Sequence, residues 1–251
     1  MKERESNVLS LLEDKTNIYA RKIALGMKTQ FGWKELTYDG LGLMSRRLAA
    51  YLMNDLGIQR GEKLAILSES KPEYGVCVFA SVISGLITVP LDIKLTKYEL
   101  QSILTDCLPS VMLVSQSYID KALELQKVIP SLKHIIVMDE HPVNENLQSI
   151  YTIPNNYTCK WRHRSRKSVV FIIYTSGTTG NPKGVETTFG NMLAQLKDLK
   201  TAFNQILPYG DVRVLSILPM NHLFEMTVGF STFLNLGFSV YYTHNLKPKD
   251  I

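Results

Sequence analysis

Short apolar runs alternate with helical patterns along this chain, and that rhythm limits the folds open to it. Four such runs before residue 139 lack the polar alternation of a half-exposed strand: 63–67, 87–91, 111–114 and 135–138. Segments with apolar residues at helical spacing separate them. Strands that are apolar on both faces and alternate with helices predict a parallel sheet that is covered on both sides.

Local signals mark several element boundaries. Pro72 suits the first turn of a helix, and Thr96 with Glu99 matches a capping box, in which hydroxyl and carboxylate satisfy free backbone N–H groups reciprocally. Two polar-apolar segments near the N-terminus, 23–28 and 33–37, flank a turn and predict a β-hairpin.

A polar stretch at 139–167 interrupts the rhythm and predicts a long connection between two subdomains. We place the first subdomain at 1–167, including this connection, and the second at 168–251. The fold class is therefore expected to be α/β, with two α/β subdomains whose mainly parallel sheets are flanked by helices. In the second subdomain we expect strands at 169–173, 213–218 and 238–242, with helices at about 188–205 and 223–235.

The net charge and the distribution of charged residues indicate only weakly which partners the protein binds. The formal net charge is +5, and five Lys or Arg residues fall within the run 160–167. Nucleic acid or acidic lipid is one interpretation of that run, and a solvated loop edge is the other, which we favour. The charges are not accompanied by a repeated pattern of interleaved aromatic residues for base stacking, so we expect no nucleic-acid partner.

Two windows free of charged residues approach the length of a membrane span, 74–91 and 226–243. Both are interrupted by glycine and other turn or polar residues, and each is better explained as a buried helix, a glycine stop and a buried strand. The N-terminus lacks the apolar region of a secretory signal. We expect a cytoplasmic protein, with peripheral contact to the inner face of a membrane left open.

The segment Tyr174–Gly184 combines three glycines, a cluster of Thr and Ser hydroxyls and one lysine directly after the apolar run 169–173. Glycines let backbone N–H groups approach an anion, hydroxyls donate to phosphate oxygens, and lysine adds positive charge. The spacing matches neither the Walker A motif nor the dinucleotide-binding pattern. A phosphate-binding loop of another kind is the expectation, with an ordinary turn as the alternative.

The uninterrupted string from Tyr174 to Val185 resembles the phosphate-loop signature of the adenylate-forming superfamily, which contains acyl-CoA synthetases, luciferases and adenylation domains. A second string, Leu218–Glu225, is similar to that family's next core motif, in the form found in the fatty acyl-CoA ligase branch. Shorter similarities, such as those at 33–38 and 90–92, extend the resemblance over essentially the whole chain. High specificity resides in the two motifs alone.

The resemblance implies a two-step reaction. A carboxylate attacks the α-phosphate of ATP to give an acyl-adenylate and pyrophosphate, and a thiol then accepts the acyl group. ATP, Mg²⁺ and coenzyme A are the implied cofactors and co-substrates, and a fatty acid or another carboxylate is the implied substrate.

The resemblance also assigns residues. Thr178 is the position whose hydroxyl helps to hold Mg²⁺, and Lys183 supplies a cation at the end of the loop; with His222 they are the expected catalytic residues. The residues expected to bind the β- and γ-phosphates are Thr175, Ser176, Gly177, Thr178, Thr179, Gly180 and Lys183.

The second motif supplies the expected acyl-site residues. His222 is placed near the bound carboxylate, although a histidine beside an apolar helix is often structural. Phe224 and Met226 are expected to line an acyl tunnel, with a plain core role as the alternative. Phe189 stands where family members usually carry a histidine.

Three functional hypotheses follow from the sequence. The first is the N-terminal portion of a fatty acid–CoA ligase, which we expect to be inactive alone because the later family motifs are absent from these 251 residues. The second is an acyl-AMP ligase that loads an acyl carrier protein. The third is a non-catalytic module that binds a nucleotide or a partner. Acyl chain length and oligomeric state are left undetermined.

Overall fold

The computed structural model describes residues 15–159, 164–175, 182–206 and 211–243. The strands are β1 Ile23–Thr29, β2 Gly32–Thr37, β3 Lys63–Leu67, β4 Ile87–Leu91, β5 Val111–Val114, β6 His134–Val137, β7 Gln148–Ser149, β8 Val169–Thr175, β9 Lys183–Thr188, β10 Arg213–Ser216 and β11 Ser239–Tyr242. The α-helices are Tyr38–Asn54, Pro72–Ser84, Lys97–Cys107, Ile119–Gln126, Phe189–Ile206 and Phe233–Asn235, with a 3₁₀ turn at Gln116–Tyr118 and a π-helix at Glu225–Thr232.

The larger sheet has the strand order β7-β6-β5-β3-β4-β8-β9. Its pairs are parallel except for β8 and β9, which are antiparallel. Both faces of its central strands are buried. Leu64 and Ile66 of β3 belong to one core cluster, whereas Ala65 and Leu67 belong to the other. The predicted α/β class with mainly parallel sheets is therefore confirmed, and burial of both faces explains why the strands lack polar alternation.

The smaller sheet joins distant parts of the chain in the order β10-β11-β1-β2. The expected N-terminal hairpin is confirmed, since β1 pairs antiparallel with β2. On its other side β1 pairs parallel with β11, which lies more than 190 residues later in the chain. Strands β8 and β9, in turn, extend the larger sheet. Each sheet thus takes strands from both sides of the proposed boundary at 167/168, and a domain division there stays a prediction.

The middle of the polar connection 139–167 packs against the larger sheet. It contributes β7, a short strand that the sequence did not predict and that pairs parallel with β6. Ile150 and Ile153 are buried in the core. These contacts attach residues 148–153 of the connection to the edge of the larger sheet.

The helix Pro72–Ser84 lies between the two sheets, and all its residues are buried. Gly75 lets the side chains of Leu25 and Phe230 pack directly against the helix backbone. A Cβ atom at this position would stand 2.6 Å from Cδ1 of Leu25 and 2.9 Å from Cε2 of Phe230. A helix that is apolar all round is expected in such a position, because every face of it meets another element.

Charged groups connect the sheets at the start of this helix. Glu73, which is 2% exposed, accepts a hydrogen bond from the Tyr151 hydroxyl at 2.6 Å, and its Oε1 lies 2.5 Å from Nζ of Lys34 in β2. Lys71 Nζ donates to Oδ1 of Asp139 at 2.6 Å. Buried charges are tolerated only where they are paired in this way.

No helix in the described part of the chain is long and apolar enough to cross a membrane. The window 74–91 forms the helix Pro72–Ser84, a left-handed Gly85 and strand β4, as the sequence predicted. The window 226–243 likewise forms a helical segment, a left-handed Gly237 and strand β11.

Candidate functional site

A cavity with a volume of about 500 Å³ opens where β4 and β8 end. Ligands of open α/β sheets usually bind at the carboxyl ends of the parallel strands. The lining residues come from β4 and the loop that follows it, β8, the helix Lys97–Cys107 and the two motifs that the sequence singled out. They are Pro90, Leu91, Asp92, Leu95, Glu99, Ile103, Ile173, Tyr174, Thr175, Pro182, Asn221 and His222.

The glycine-rich segment connects two antiparallel strands. Thr175 is the last residue of β8, Lys183 is the first residue of β9, and the two are paired across the hairpin. Lys183, which was expected at the end of the loop, begins β9, a strand that the sequence analysis did not anticipate, and its role stays a prediction. Ser176, Gly177, Thr178, Thr179 and Gly180 lie outside the described residues, and their roles stay predictions.

The Tyr174–Gly184 pair fixes the base of this hairpin. A Cβ atom at Gly184 would lie 2.8 Å from Cγ2 of Ile172 and 3.1 Å from Cζ of Tyr174, so glycine lets the tyrosine ring lie across the neighbouring strand. The Tyr174 hydroxyl donates to the Asp106 carboxylate. Burial and this hydrogen bond raise the pKa of Tyr174 above its ordinary value. The hairpin is thereby tied to the helix Lys97–Cys107.

Lys183 is exposed and makes no ion pair with another described residue. It does not line the cavity itself, although Thr175 and Pro182 beside it do. Lys183 thus adjoins two lining residues of the cavity and has no ion-pair partner among the described residues. That arrangement suits attraction of an anionic ligand.

The second motif reaches the same cavity through a turn. His222 N donates to the carbonyl of Pro219 at 3.0 Å, and Met226 N donates to the carbonyl of His222 at 3.0 Å. The turn is anchored to the loop between β3 and the helix Pro72–Ser84, because Met220 N donates to Oγ of Ser70 at 3.0 Å. Of the three expected acyl-site residues, only His222 lines the cavity.

Phe224 and Met226 lie elsewhere among the described residues. Phe224 is 61% exposed, and Met226 is fully buried in the core between the sheets. Helical geometry explains the difference, since residues two apart point to different sides of a helix. Their assignment to an acyl tunnel stays a prediction.

Glu225 is a buried carboxylate that the sequence analysis did not single out. It is 4% exposed, and its Oε1 accepts a hydrogen bond from the Ser216 hydroxyl at 2.6 Å. The carboxylate rests against Gly229, where a Cβ atom would collide with it. Burial raises the pKa of Glu225, while the Ser216 hydrogen bond partly opposes that shift. The first turn of the π-helix is therefore tied to strand β10 next to His222.

Glu225→Gln is expected to change how stability depends on pH. A carboxyl group whose pKa is higher in the folded than in the unfolded protein stabilises the fold at low pH, and this contribution is lost as pH rises through the folded-state pKa. Gln keeps an acceptor for Ser216 and cannot ionise. The free energy of unfolding, measured by urea titration across the acid-to-neutral range, should fall less with rising pH in the variant.

Glu225→Ala is the matched control for this measurement. It leaves the buried Ser216 hydroxyl without its acceptor and should lower stability at every pH, by about 1–3 kcal/mol. Parallel pH profiles for Glu225→Gln and the unmodified protein would show that Glu225 does not titrate with a raised pKa.

Residues 12–251 match the model of the AMP-binding enzyme family, and the chain belongs to this family. The long-chain-fatty-acid–CoA ligase of Salmonella typhimurium is 28% identical over 264 residues, which cover 94% of this chain and 46% of the relative. Human long-chain-fatty-acid–CoA ligase ACSBG1 is 28% identical over 82% of this chain and 30% of its own length. The chain thus spans about half the length, or less, of these curated relatives.

Solved structures share the fold. The anthranilate CoA ligase AuaEII, in complex with anthranoyl-AMP, superposes with a TM-score of 0.78 at 23% identity, covering 94% of this chain and 44% of that one. The inhibitor-bound N-terminal domain of FACL13 from Mycobacterium tuberculosis gives a TM-score of 0.78 at 20% identity, covering 96% and 58%. The adenylate-forming resemblance and the acyl-CoA synthetase-like fold are therefore confirmed.

Proposed function

We propose that this chain supplies the phosphate loop and one wall of the acyl site of an ATP-dependent fatty acid–CoA ligase. The observation that carries the proposal is the convergence of both motifs on one cavity, with Thr175 and His222 in its lining and Lys183 paired with Thr175. The ligases among the curated relatives support fatty acids as the substrate class.

We assign each residue a role according to its position in the site. Thr175 and the loop residues Ser176 to Gly180 donate hydroxyl and backbone hydrogen bonds to the β- and γ-phosphates of ATP. Lys183 adds a positive charge where charge accumulates on the departing pyrophosphate. Donors that are fixed in advance stabilise such charge at little cost in reorganisation. His222, on the facing wall, orients the fatty acid carboxylate for attack on the α-phosphate.

The donor set fits the ligands that this reaction needs. Lys183, which has no ion-pair partner among the described residues, and the Thr175 hydroxyl in the cavity lining suit a polyphosphate. In other nucleotide-binding proteins a Ser or Thr hydroxyl of the phosphate loop helps to hold Mg²⁺, and the Thr178 hydroxyl would take that role here. When bound, the metal neutralises phosphate charge.

The acceptor of the acyl group has a second candidate. One structural neighbour is the A-PCP didomain of a carboxylic acid reductase from Segniliparus rugosus, in which an adenylation domain is joined to a carrier domain. We favour coenzyme A because the fatty-acid relatives that match this chain are CoA ligases. Supplying the activated acyl group with coenzyme A or with an acyl carrier protein separates the two.

Binding of ATP to the 251-residue chain tests the proposed phosphate site. We expect ATP and pyrophosphate to bind more tightly than AMP, because the loop contacts the β- and γ-phosphates. Thr175→Val removes one hydroxyl with little change of shape and should weaken ATP binding by about tenfold, the value of one hydrogen bond to a charged group. Isothermal titration calorimetry measures both effects.

Thr105→Val is the matched control. Thr105 is an exposed helical threonine whose hydroxyl donates to the Gln101 carbonyl, away from the cavity lining. The ATP affinity of the Thr105→Val variant should equal that of the unmodified chain. Equal affinities for ATP and AMP, or equal losses in the two threonine variants, would contradict the phosphate-loop assignment.

A further inference from the structure

A second cavity, of about 320 Å³, lies between the start of β8 and the helix Phe189–Ile206. It shares no lining residue with the cavity of the candidate functional site. Its lining residues are Arg166, Leu193, Ala194, Leu196, Lys197, Lys200 and Asn235. We call it the basic cavity.

The charges around the basic cavity are of one sign. Lys197 and Lys200 are three residues apart on the same helix, so their side chains share a face, and Arg166 is the third cationic residue of the lining. No carboxylate lines this cavity among the described residues, and none of the three cations makes an ion pair there. Like charges that converge without a counter-ion create a potential that attracts anions.

The backbone holds Arg166 in place. Gly190 N, in the first turn of the helix Phe189–Ile206, donates to the Arg166 carbonyl at 2.7 Å. A Cβ atom at Gly190 would stand 2.9 Å from that carbonyl oxygen, so a glycine lets the helix begin directly against Arg166. The Arg166 backbone is therefore fixed relative to the helix that carries Lys197 and Lys200.

A buried amide without a partner completes the lining. Asn235 is 2% exposed, and its Oδ1 has no hydrogen-bond partner within the described part of the chain. Buried polar side chains nearly always have a partner, so an exception calls for a ligand or another specific reason. An Asn side chain can also turn about its last torsion without a change of shape, which presents its NH₂ group as a donor instead.

We propose that the basic cavity binds a phosphate group. Phosphate oxygens accept from Arg166, Lys197 and Lys200, and the Asn235 amide either donates to one of these oxygens or accepts from a protonated one. Arginine and lysine are the usual phosphate partners in proteins. This site assigns a role to Arg166, part of the basic run 160–167, and it does not depend on the function proposed for the phosphate loop.

Thermal unfolding of the chain in the presence of inorganic phosphate tests the site. The measurement uses a Lys183→Ala background, so that binding at the phosphate loop contributes less. We expect phosphate to raise the melting temperature more than chloride at equal ionic strength, because a ligand that binds only the folded state stabilises it. Calorimetric titration of the same protein gives the affinity.

Two variants locate the binding. Lys197→Gln/Lys200→Gln changes two surface side chains and should lower phosphate affinity at least about tenfold, as expected for the loss of charged hydrogen bonds. Lys28→Gln/Lys127→Gln makes the same change of charge on exposed lysines elsewhere and should leave the affinity unchanged. Equal losses in both variants, or no phosphate binding at all, would overturn the proposal.

Asn235→Leu separates ligand binding from folding. Leucine has a similar size and removes the unpartnered oxygen, so the melting temperature without phosphate should stay the same or rise. The stabilisation by phosphate should be lost. A variant that is destabilised without phosphate, yet keeps the full phosphate effect, would show that Asn235 only supports the fold and would contradict its place in the site.

The source of the phosphate group is decided by a comparison of ligands. Glycerol 3-phosphate represents a soluble phosphomonoester, and vesicles of phosphatidylcholine with phosphatidic acid present the same group on a membrane. Co-sedimentation with these vesicles, and none with pure phosphatidylcholine, assigns the site to a lipid headgroup. Binding of glycerol 3-phosphate alone assigns it to a soluble ligand. Either result must be sensitive to Lys197→Gln/Lys200→Gln, or the proposal fails.

Discussion

Lys183→Ala is expected to lower the rate of ATP-dependent pyrophosphate release by about a hundredfold, the loss found when one group that stabilises transition-state charge is removed. Lys183 is exposed at the first position of β9, has no ion-pair partner among the described residues, and stands beside Thr175. Its removal should therefore affect charge stabilisation and leave folding unchanged.

The assay uses palmitate, ATP and Mg²⁺, in the full-length protein if the 251-residue chain alone shows no turnover. Unfolding by urea, measured in parallel, should give the same free energy for Lys183→Ala and the unmodified protein. Lys28→Ala, another exposed lysine in a β-strand, is the control and should keep the full rate. A Lys183→Ala protein with an undiminished rate would remove Lys183 from the proposed mechanism.

Asp139→Ala is expected to lower the free energy of unfolding by about 3 kcal/mol, the loss typical of a buried ion pair from which one partner is removed. Asp139 accepts from Lys71 Nζ at 2.6 Å and from the backbone N–H of Gln116 at 2.7 Å. After the change, Lys71, which is 6% exposed, keeps one carboxylate within ion-pair distance, Glu69 at 3.7 Å.

The pH dependence of this stability has a defined sign. Burial, the largest influence, lowers the pKa of Lys71, but Glu73, Asp139 and Glu69 together outweigh it and raise the pKa above the ordinary lysine value. A cation with a raised folded-state pKa stabilises the fold below the unfolded-state pKa, and the effect is lost as pH rises through the folded-state value. The difference between Asp139→Ala and the unmodified protein should therefore shrink in the alkaline range.

A double-mutant cycle with Lys71→Met isolates the pair. The double variant should lose less stability than the two single variants combined, since removing both charges leaves no unpaired charge buried. Glu145→Ala, which removes an exposed carboxylate, is the control and should change the free energy of unfolding by less than about 0.5 kcal/mol. Additive losses in the cycle would mean that Lys71 and Asp139 do not interact.

Local features of this protein were predictable where the cause itself is local. The capping box is present: Glu99 N donates to Thr96 Oγ1 at 3.3 Å, and the Glu99 carboxylate accepts from Thr96 N at 2.7 Å. Pro72 opens its helix and Gly85 closes it in the left-handed conformation, at φ 82°. These residues act on the nearest turns of backbone, so their effects can be deduced without knowledge of the tertiary fold.

Long-range pairing was not predictable in the same way. Strand β9 was missed because the run Lys183–Thr188 is mostly polar, and its register comes from β8 rather than from its own pattern. The pairing of β1 with β11 joins the two ends of the described chain, and neither strand signals its partner. Glu225 was missed because its partner, Ser216, lies on a different element.

The sequence by itself determined the α/β class, the family and the two motifs, because apolar periodicity and motif spacing are properties of neighbouring residues. Only the tertiary structure decided that Thr175 and His222 line one cavity while Phe224 is exposed and Met226 is buried in the core. The physical reason is that a cavity forms where separate elements pack together. Which face of each element meets its neighbour therefore depends on sheet order and helix orientation over the whole chain.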